Sequence, residues 1–361
     1  MLDDLKTLRR LDKSNLLDRV AELPEQCRDG WQQGLDWSVP DRVKSLKQLL
    51  VLGMGGSAIG ADLLQGMIGD QFSRPGIVNR TYTIPRWVGR DTLVLVCSYS
   101  GNTEETLSGA QAAARQGATL MAITSGGRLA DWAVHSRIPL LRIPQGLPPR
   151  AAVGYLTFVP MALFAQLGWV SKKSLPVEQA YAGAKRFIAF RLAPSVPTRS
   201  NPAKQIARSL VGRLPVLYGP AGGWEGITYR WRTQIEENSK SLAFHHIFPE
   251  ATHNEISGWF QPKSVVKKTT AVFISDPAVH PRILQRMEFT KRIIRTQGAR
   301  VVTLQAPGRS ILERMLGLIT LGDFVSVYLG LLYRIDPTPV ERVEALKKHL
   351  KGSDPLGSDP I

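Results

Sequence analysis

Short apolar runs alternate with helical patterns through the middle of the chain. LLVLG (Leu49–Gly53) is followed by SAIGADLLQGM, TLVLVCS (Thr92–Ser98) by NTEETLSGAQAAARQG, and ATLMAIT (Ala118–Thr124) by GRLADWAV. Each unit pairs a continuous apolar strand with a Gly/Ser/Thr turn and a helical segment of small and apolar residues. Strands apolar on both faces belong to a parallel sheet covered on both sides by helices. A second rhythm of the same kind follows: a helix at Ala203–Val211, a strand at Leu214–Gly219, a helix from Gly223, a strand at Thr269–Ser275, a helix at Arg282–Thr296 and a strand at Ala299–Gln305. A long apolar helix near residues 310–333 closes the set. Two α/β halves of similar size result, as an internal duplication would produce.

The flanks complete the division. Leu5, Leu8, Leu11, Leu16, Leu17 and Val20 predict one amphipathic helix within residues 2–20. Residues 1–45 form an N-terminal helical segment and 46–170 the first α/β domain. A connecting helix (Val177–Leu192) and the linker SVPTRSNP fall in 171–202, and the second domain spans 203–335. IDPTPVERVEALKKHL predicts a turn and a C-terminal helix in 336–351, and GSDPLGSDPI predicts a disordered tail over 352–361.

Composition narrows the partners. Lys and Arg outnumber Asp and Glu by 46 to 30, a net charge of +16 that favours anions. The basic residues are scattered without a block or an aromatic-interleaved patch, so no nucleic acid is expected. Two cysteines, Cys27 and Cys97, fit a reducing compartment, and the charged N-terminus does not resemble a signal peptide. A cytoplasmic location is expected. Leu316–Tyr333 approaches a bilayer span in length, but Asp323 and several glycines interrupt it. A buried core helix, and no membrane partner, is the expectation.

Three stretches carry candidate chemistry. In GMGGSAIG (Gly53–Gly60) a strand enters a helix through glycines and a serine, so Gly56 and Ser57 stand where backbone amides and the helix dipole attract an anion. Its spacing does not fit a dinucleotide fingerprint. CSYSGNTEET (Cys97–Thr106) places the hydroxyls of Ser98, Ser100 and Thr103 at a strand end, with Asn102 or Thr103 able to cap the next helix. Such a cradle suits a phosphate. QIEENSKSLAFHHIFPEATHNEISGW (Gln234–Trp259) packs four carboxylates, three histidines and two asparagines among few large apolar residues. Unpaired buried charge is too costly for that to be core filler.

GMGGSAIG with SYSGNTEET resembles the sugar isomerase (SIS) domain. With GLPPRAAVG (Gly146–Gly154), EENSK and PEATHNEISGW added, the chain resembles the bifunctional phosphoglucose/phosphomannose isomerases from about residue 30 to 350. The resemblance implies two SIS-type doubly wound, flavodoxin-like parallel-sheet subdomains and phosphorylated hexoses as substrates. It implies Glu237 as the base of an aldose–ketose proton transfer, with Glu236 the adjacent alternative. His253 would open the sugar ring from the neighbouring subunit, which makes the protein a homodimer. His245 and His246 would pack or hydrogen-bond. Arg150 would stabilise the enediolate, and Lys347, with Lys348 beside it, would lie in a C-terminal helix over the active site. The scheme calls for no metal and no cofactor. A non-catalytic SIS phosphosugar-binding regulator is the alternative; it would keep the phosphate loops but have no use for Glu237, His253 and a C-terminal lysine together.

Overall fold

A computed structural model describes residues 1–305 and 307–351; the GSDP-repeat tail expected to be disordered lies outside them. Helix α1 (Leu5–Leu11) is capped by Asp4, which accepts from the amides of Lys6 and Thr7. Helix α2 (Leu16–Ala21) then starts afresh, so the single helix expected over residues 2–20 is two. The buried Asp12 carboxylate causes the break by accepting from the amides of Leu16 and Leu17, both at 2.8 Å, while Asn15 turns the chain at φ 53°. Helix α3 (Leu23–Asp36) completes the N-terminal segment.

The first sheet is built from β1 (Gln48–Leu52), α4 (Gly55–Ile68), β2 (Gly76–Asn79), β3 (Thr92–Cys97), α5 (Glu104–Arg115), β4 (Thr119–Thr124), α6 (Gly127–His135) and β5 (Leu140–Arg142). Its strands are all parallel, in the order β2-β1-β3-β4-β5. Helix α7 (Val153–Gln166) is buried from Val153 to Phe164 and packs on α3. Helix α8 (Val177–Phe187) is shorter than expected, because residues 188–192 wind as one π-helical turn. Helix α9 (Pro202–Leu210) starts at Asn201, whose side chain accepts from the Lys204 amide.

The second sheet comprises β6 (Leu214–Pro220), α10 (Glu225–Ser239), β7 (Phe244–Phe248), the short α11 (Glu255–Gly258) and α12 (Lys263–Lys267), β8 (Thr269–Ser275), α13 (Pro281–Thr296) and β9 (Arg300–Gln305). It too is parallel, in the order β7-β6-β8-β9. That is the order of the first four strands of the first sheet, so the two rhythms of the sequence are one topology used twice. The loop after β6, the counterpart of the loop after β1, is filled by its own side chain: the Glu225 carboxylate accepts from the amides of Gly222 (3.1 Å) and Gly223 (2.7 Å).

Helix α14 (Ile311–Leu332) is the long apolar segment, and 94% of its most apolar window is buried inside the chain. Asp323 within it binds Arg230 of α10 through Nε (3.0 Å) and Nη2 (2.7 Å) and accepts from Gln234 Nε2 (3.1 Å). A charge that made the segment an awkward bilayer span is thus a paired charge in a protein core. Helix α15 (Glu341–Lys351) ends the described chain, exposed from Glu341 to Leu350.

The halves meet where α4 and α10 cross. A Cβ on Gly66 would lie 2.0 Å from the Gly223 carbonyl oxygen, so only glycine permits this approach. Gly226 lies against Asp62 and Leu63, so α10 runs antiparallel to α4. Its C-terminal end is thereby returned to the start of α4.

Strand β7 (FHHIF) lies within the stretch whose polar density suggested a site, and forms the edge of the second sheet. The His245 ring faces Tyr229 at 5.4 Å, and burial, with Arg232 nearby, pushes its pKa down to about 4. The unfolded chain binds this proton near pH 6.5, so the folded state is favoured above that pH and loses stability as pH falls towards 4. After allowance for partial exposure the loss is roughly 1–2 kcal/mol. His245→Gln is expected to flatten the decline in urea midpoint between pH 7 and 4.5; an unchanged slope would assign the acid sensitivity elsewhere.

Candidate active site

Two helices open at the carboxyl edge of the first sheet with their N-termini free of side-chain caps. Helix α4 begins after Met54 and α5 after Thr103, and neither residue's side chain caps its helix. Asn102, the other expected cap, instead turns its Oδ1 to the Arg128 amide (3.1 Å) at the start of α6. The first amides of α4 and α5 therefore face the edge unclaimed by caps, an arrangement that binds anions.

The hydroxyls around them divide by duty. Ser57 Oγ accepts from the Tyr99 amide (3.0 Å) and so links the two loops. Ser98 is fully buried, 3.1 Å from Thr103 Oγ1 and accepting from the Gly101 amide. Ser100 is exposed and accepts from the Asn102 amide at 3.3 Å, and Thr103 is half-buried. Ser100 and Thr103 are thus the more accessible hydroxyls, and Ser57 and Ser98 fix the loop shape. Tyr99, passed over in the sequence, ties this loop to the GLPPR segment: its hydroxyl donates to the Pro144 carbonyl (3.0 Å) and accepts from the Leu147 amide (2.8 Å).

That segment presents Arg150 beside Gly56, where a Cβ would meet Arg150 backbone atoms at 3.0 Å. Far from being a surface residue after a Pro-Pro turn, Arg150 is 4% exposed. Its Nε donates to Asn238 Oδ1 (2.6 Å), Nη1 to Glu237 Oε2 (3.2 Å) and Nη2 to the carbonyls of Pro337 (3.0 Å) and Thr338 (2.8 Å). Burial lowers its pKa from the ordinary arginine value, opposed by the charge of Glu237. Asn238 is held by Ser326 (2.9 Å), and Arg230, anchored on Asp323, donates to the Arg150 carbonyl (3.1 Å). The buried ions of α10 and α14 thus brace the arginine from behind. Asn238 was visible in the ENSK motif; nothing in the sequence announced the Arg230–Asp323 brace.

Glu237 and Glu236 diverge as adjacent helical residues must. Glu237 faces Arg150, whereas Glu236 faces Arg232 at 3.6 Å on the same helix. The Glu237 side chain is 35% exposed against 4% for its partner, a carboxylate open to solvent beside a buried cation.

His253 lies elsewhere. It follows the carboxyl end of β7, whereas Glu237 stands near the end of α10, before that strand begins. Five residues of strand, roughly 16 Å, lie along that path, and no hydrogen bond or ion pair joins the two among the described residues. The His253 loop is firmly held: Glu255 binds Tyr218 and His246, and Arg286 donates to Thr252 Oγ1 (2.7 Å). His253 is exposed on it. Lys347 and Lys348 are likewise exposed on α15, and neither is hydrogen-bonded or ion-paired to Arg150 or Glu237. Among the described residues, no group of three or more His, Cys, Asp and Glu is arranged to hold a metal ion.

Comparison with known proteins gives the family. A bifunctional phosphoglucose/phosphomannose isomerase of Caldicellulosiruptor bescii is 40% identical over 336 residues, covering 93% of this chain and 98% of that protein. The chain belongs to the bifunctional phosphoglucose/phosphomannose isomerase family. A second bifunctional isomerase, from Aquifex aeolicus, is 35% identical and covers 90% of this chain and 97% of its own length. Residues 199–350 match the bacterial phospho-glucose isomerase C-terminal SIS domain. The fold is shared with a hypothetical protein of Thermus thermophilus, at TM-score 0.75 and 17% identity over 96% of this chain and 94% of that one. As a member of the bifunctional isomerase family, the chain is a phosphosugar isomerase with SIS-type halves.

Proposed function

We propose that this enzyme interconverts glucose 6-phosphate and mannose 6-phosphate with fructose 6-phosphate, without a metal, through ring opening and a cis-enediolate. The observation that carries the reading is the Arg150–Glu237 pair beside the open N-terminus of α4. The phosphate would sit on the amides of α4 and α5 with Ser100 and Thr103, in loops shaped by Gly56, Ser57 and Ser98. Glu237 would take the C2 proton of the open aldose and return it to C1 as the O2 hydroxyl proton passes to O1, while Arg150 holds the negative charge that develops on the enediolate oxygens. Once the ring is open, rotation about the C2–C3 bond lets either C2 epimer present its proton to the same carboxylate.

His253 would donate and accept the ring-opening proton from a second copy of the chain, which fits its exposure on a fixed loop far along the sheet from Glu237. The enzyme is then a homodimer with shared sites, and Lys347 on the projecting α15 would close on one of them. A cytoplasmic location belongs to the same reading.

The test is a coupled assay with EDTA present, in which fructose 6-phosphate is supplied and both aldose phosphates are measured. Equal amounts of Glu237→Gln and His253→Ala are then unfolded, mixed and refolded. Each variant alone should be nearly inactive, and random mixing should restore roughly a quarter of parental activity, because half the dimers carry one intact site. No turnover by the parent protein would overturn the isomerase reading. No recovery on mixing would place both residues in one chain's site.

A further inference from the structure

Lys240 ends α10 in the left-handed conformation, at φ 53°. Glycine or asparagine is the usual occupant of such a helix end, because a Cβ there crowds the backbone. The side chain offers a reason for the lysine. Its Nζ folds back to donate to the Glu237 carbonyl (2.6 Å) and reaches across to the Pro337 carbonyl (3.1 Å). The same Pro337 carbonyl accepts from Arg150 Nη2 at 3.0 Å. Residues 336–339, the strap that leads into α15, are therefore held by two cations from two elements, and Asp336 stiffens the strap by accepting from the Thr338 amide at 3.1 Å. A carbonyl shared in this way couples three things: the end of the helix that carries Glu237, the guanidinium that faces it, and the approach to the C-terminal helix.

We propose that Lys240 is a positioning residue for the isomerisation: its ammonium pins the strap to the end of α10 and so keeps Arg150 and Glu237 in register. Arg150 spends one nitrogen on the two strap carbonyls and another on Glu237. A strap that drifts would take the guanidinium with it, and the charge of the enediolate would be met off centre. The phosphate loops lie on other elements, and the Lys240 ammonium makes no hydrogen bond to them.

The proposal rests on the isomerase reading above, and two variants and three measurements separate them. Lys240→Gly removes the amine and relieves the backbone; Lys240→Met removes the amine but keeps the aliphatic stem and the left-handed Cβ. Both are expected to lose about ten- to hundredfold in kcat with fructose 6-phosphate, while KM stays within about twofold because uniform phosphate binding is unchanged. Hydrogen exchange in the ligand-free protein should quicken about tenfold in a peptide covering residues 335–350. The Tm of Lys240→Gly should equal or exceed that of the parent, and that of Lys240→Met should not. Parental kcat in either variant, or a kcat that follows Tm across the pair, would overturn the role. If the parent enzyme has no isomerase activity the functional reading fails, yet faster exchange would still support the tie and unchanged exchange would reject it.

Discussion

Glu237→Gln is expected to reduce turnover of fructose 6-phosphate by about 10²–10⁴-fold, the usual contribution of a positioned general base. The substitution is conservative in every other respect. Glutamine retains an oxygen that can accept from Arg150 Nη1, and Arg150 keeps its bonds to Asn238, Pro337 and Thr338. The loops proposed to hold the phosphate stand on α4 and α5, and the Glu237 carboxylate makes no hydrogen bond to them. Calorimetric titration with fructose 6-phosphate should therefore give an affinity within a few fold of the parent, with chemistry lost. A variant that keeps more than a tenth of its activity would move the base to Glu236, whose carboxylate now faces Arg232.

The largest effect on stability is expected at Asp323→Leu. Arg230 is 2% exposed, and without Asp323 its guanidinium would retain the Arg150 carbonyl but no counter-charge on α14. Removing one member of such a pair costs about 3–5 kcal/mol. Gln234 loses its acceptor as well. The urea midpoint should fall sharply, and activity should fall even where the protein remains folded, because Arg230 supports the backbone of Arg150. Pairing the change with Arg230→Met should recover much of the midpoint, since an apolar pair of similar volume is often tolerated in place of buried ions. A single variant that loses less than about 1 kcal/mol would show that the core hydrates Arg230 unaided.

What the sequence disclosed follows from how each part is built. Strands β1, β3 and β4 are central and buried on both faces, so they appear as unbroken apolar runs. The three-residue β5 and the edge strands β2 and β7 carry no such run; β7 even holds two histidines. The break between α1 and α2 depends on one carboxylate turning back on the chain, which apolar spacing does not record. In the site, the residue types were legible and the contacts were not. Arg150 and Glu237 are 87 positions apart and meet only because α10 doubles back along α4. Glu236 and Glu237 differ in helix azimuth, which a run of two glutamates does not record: one carboxylate faces Arg232 and the other Arg150. His253 and Lys347 lie where the contacts of a single chain give them no partner in the site, so their roles depend on the second copy proposed above.

The repeated strand order bears on how many substrates one chain can hold. In the first half the loop after its leading strand ends in amides that no side chain has claimed; in the second, the equivalent amides are already answered by Glu225. The second copy of the topology thus carries its own anion, and its first helix turns the Glu237 carboxylate towards Arg150 of the first half. On the function proposed above, one phosphosugar per chain is the expected stoichiometry.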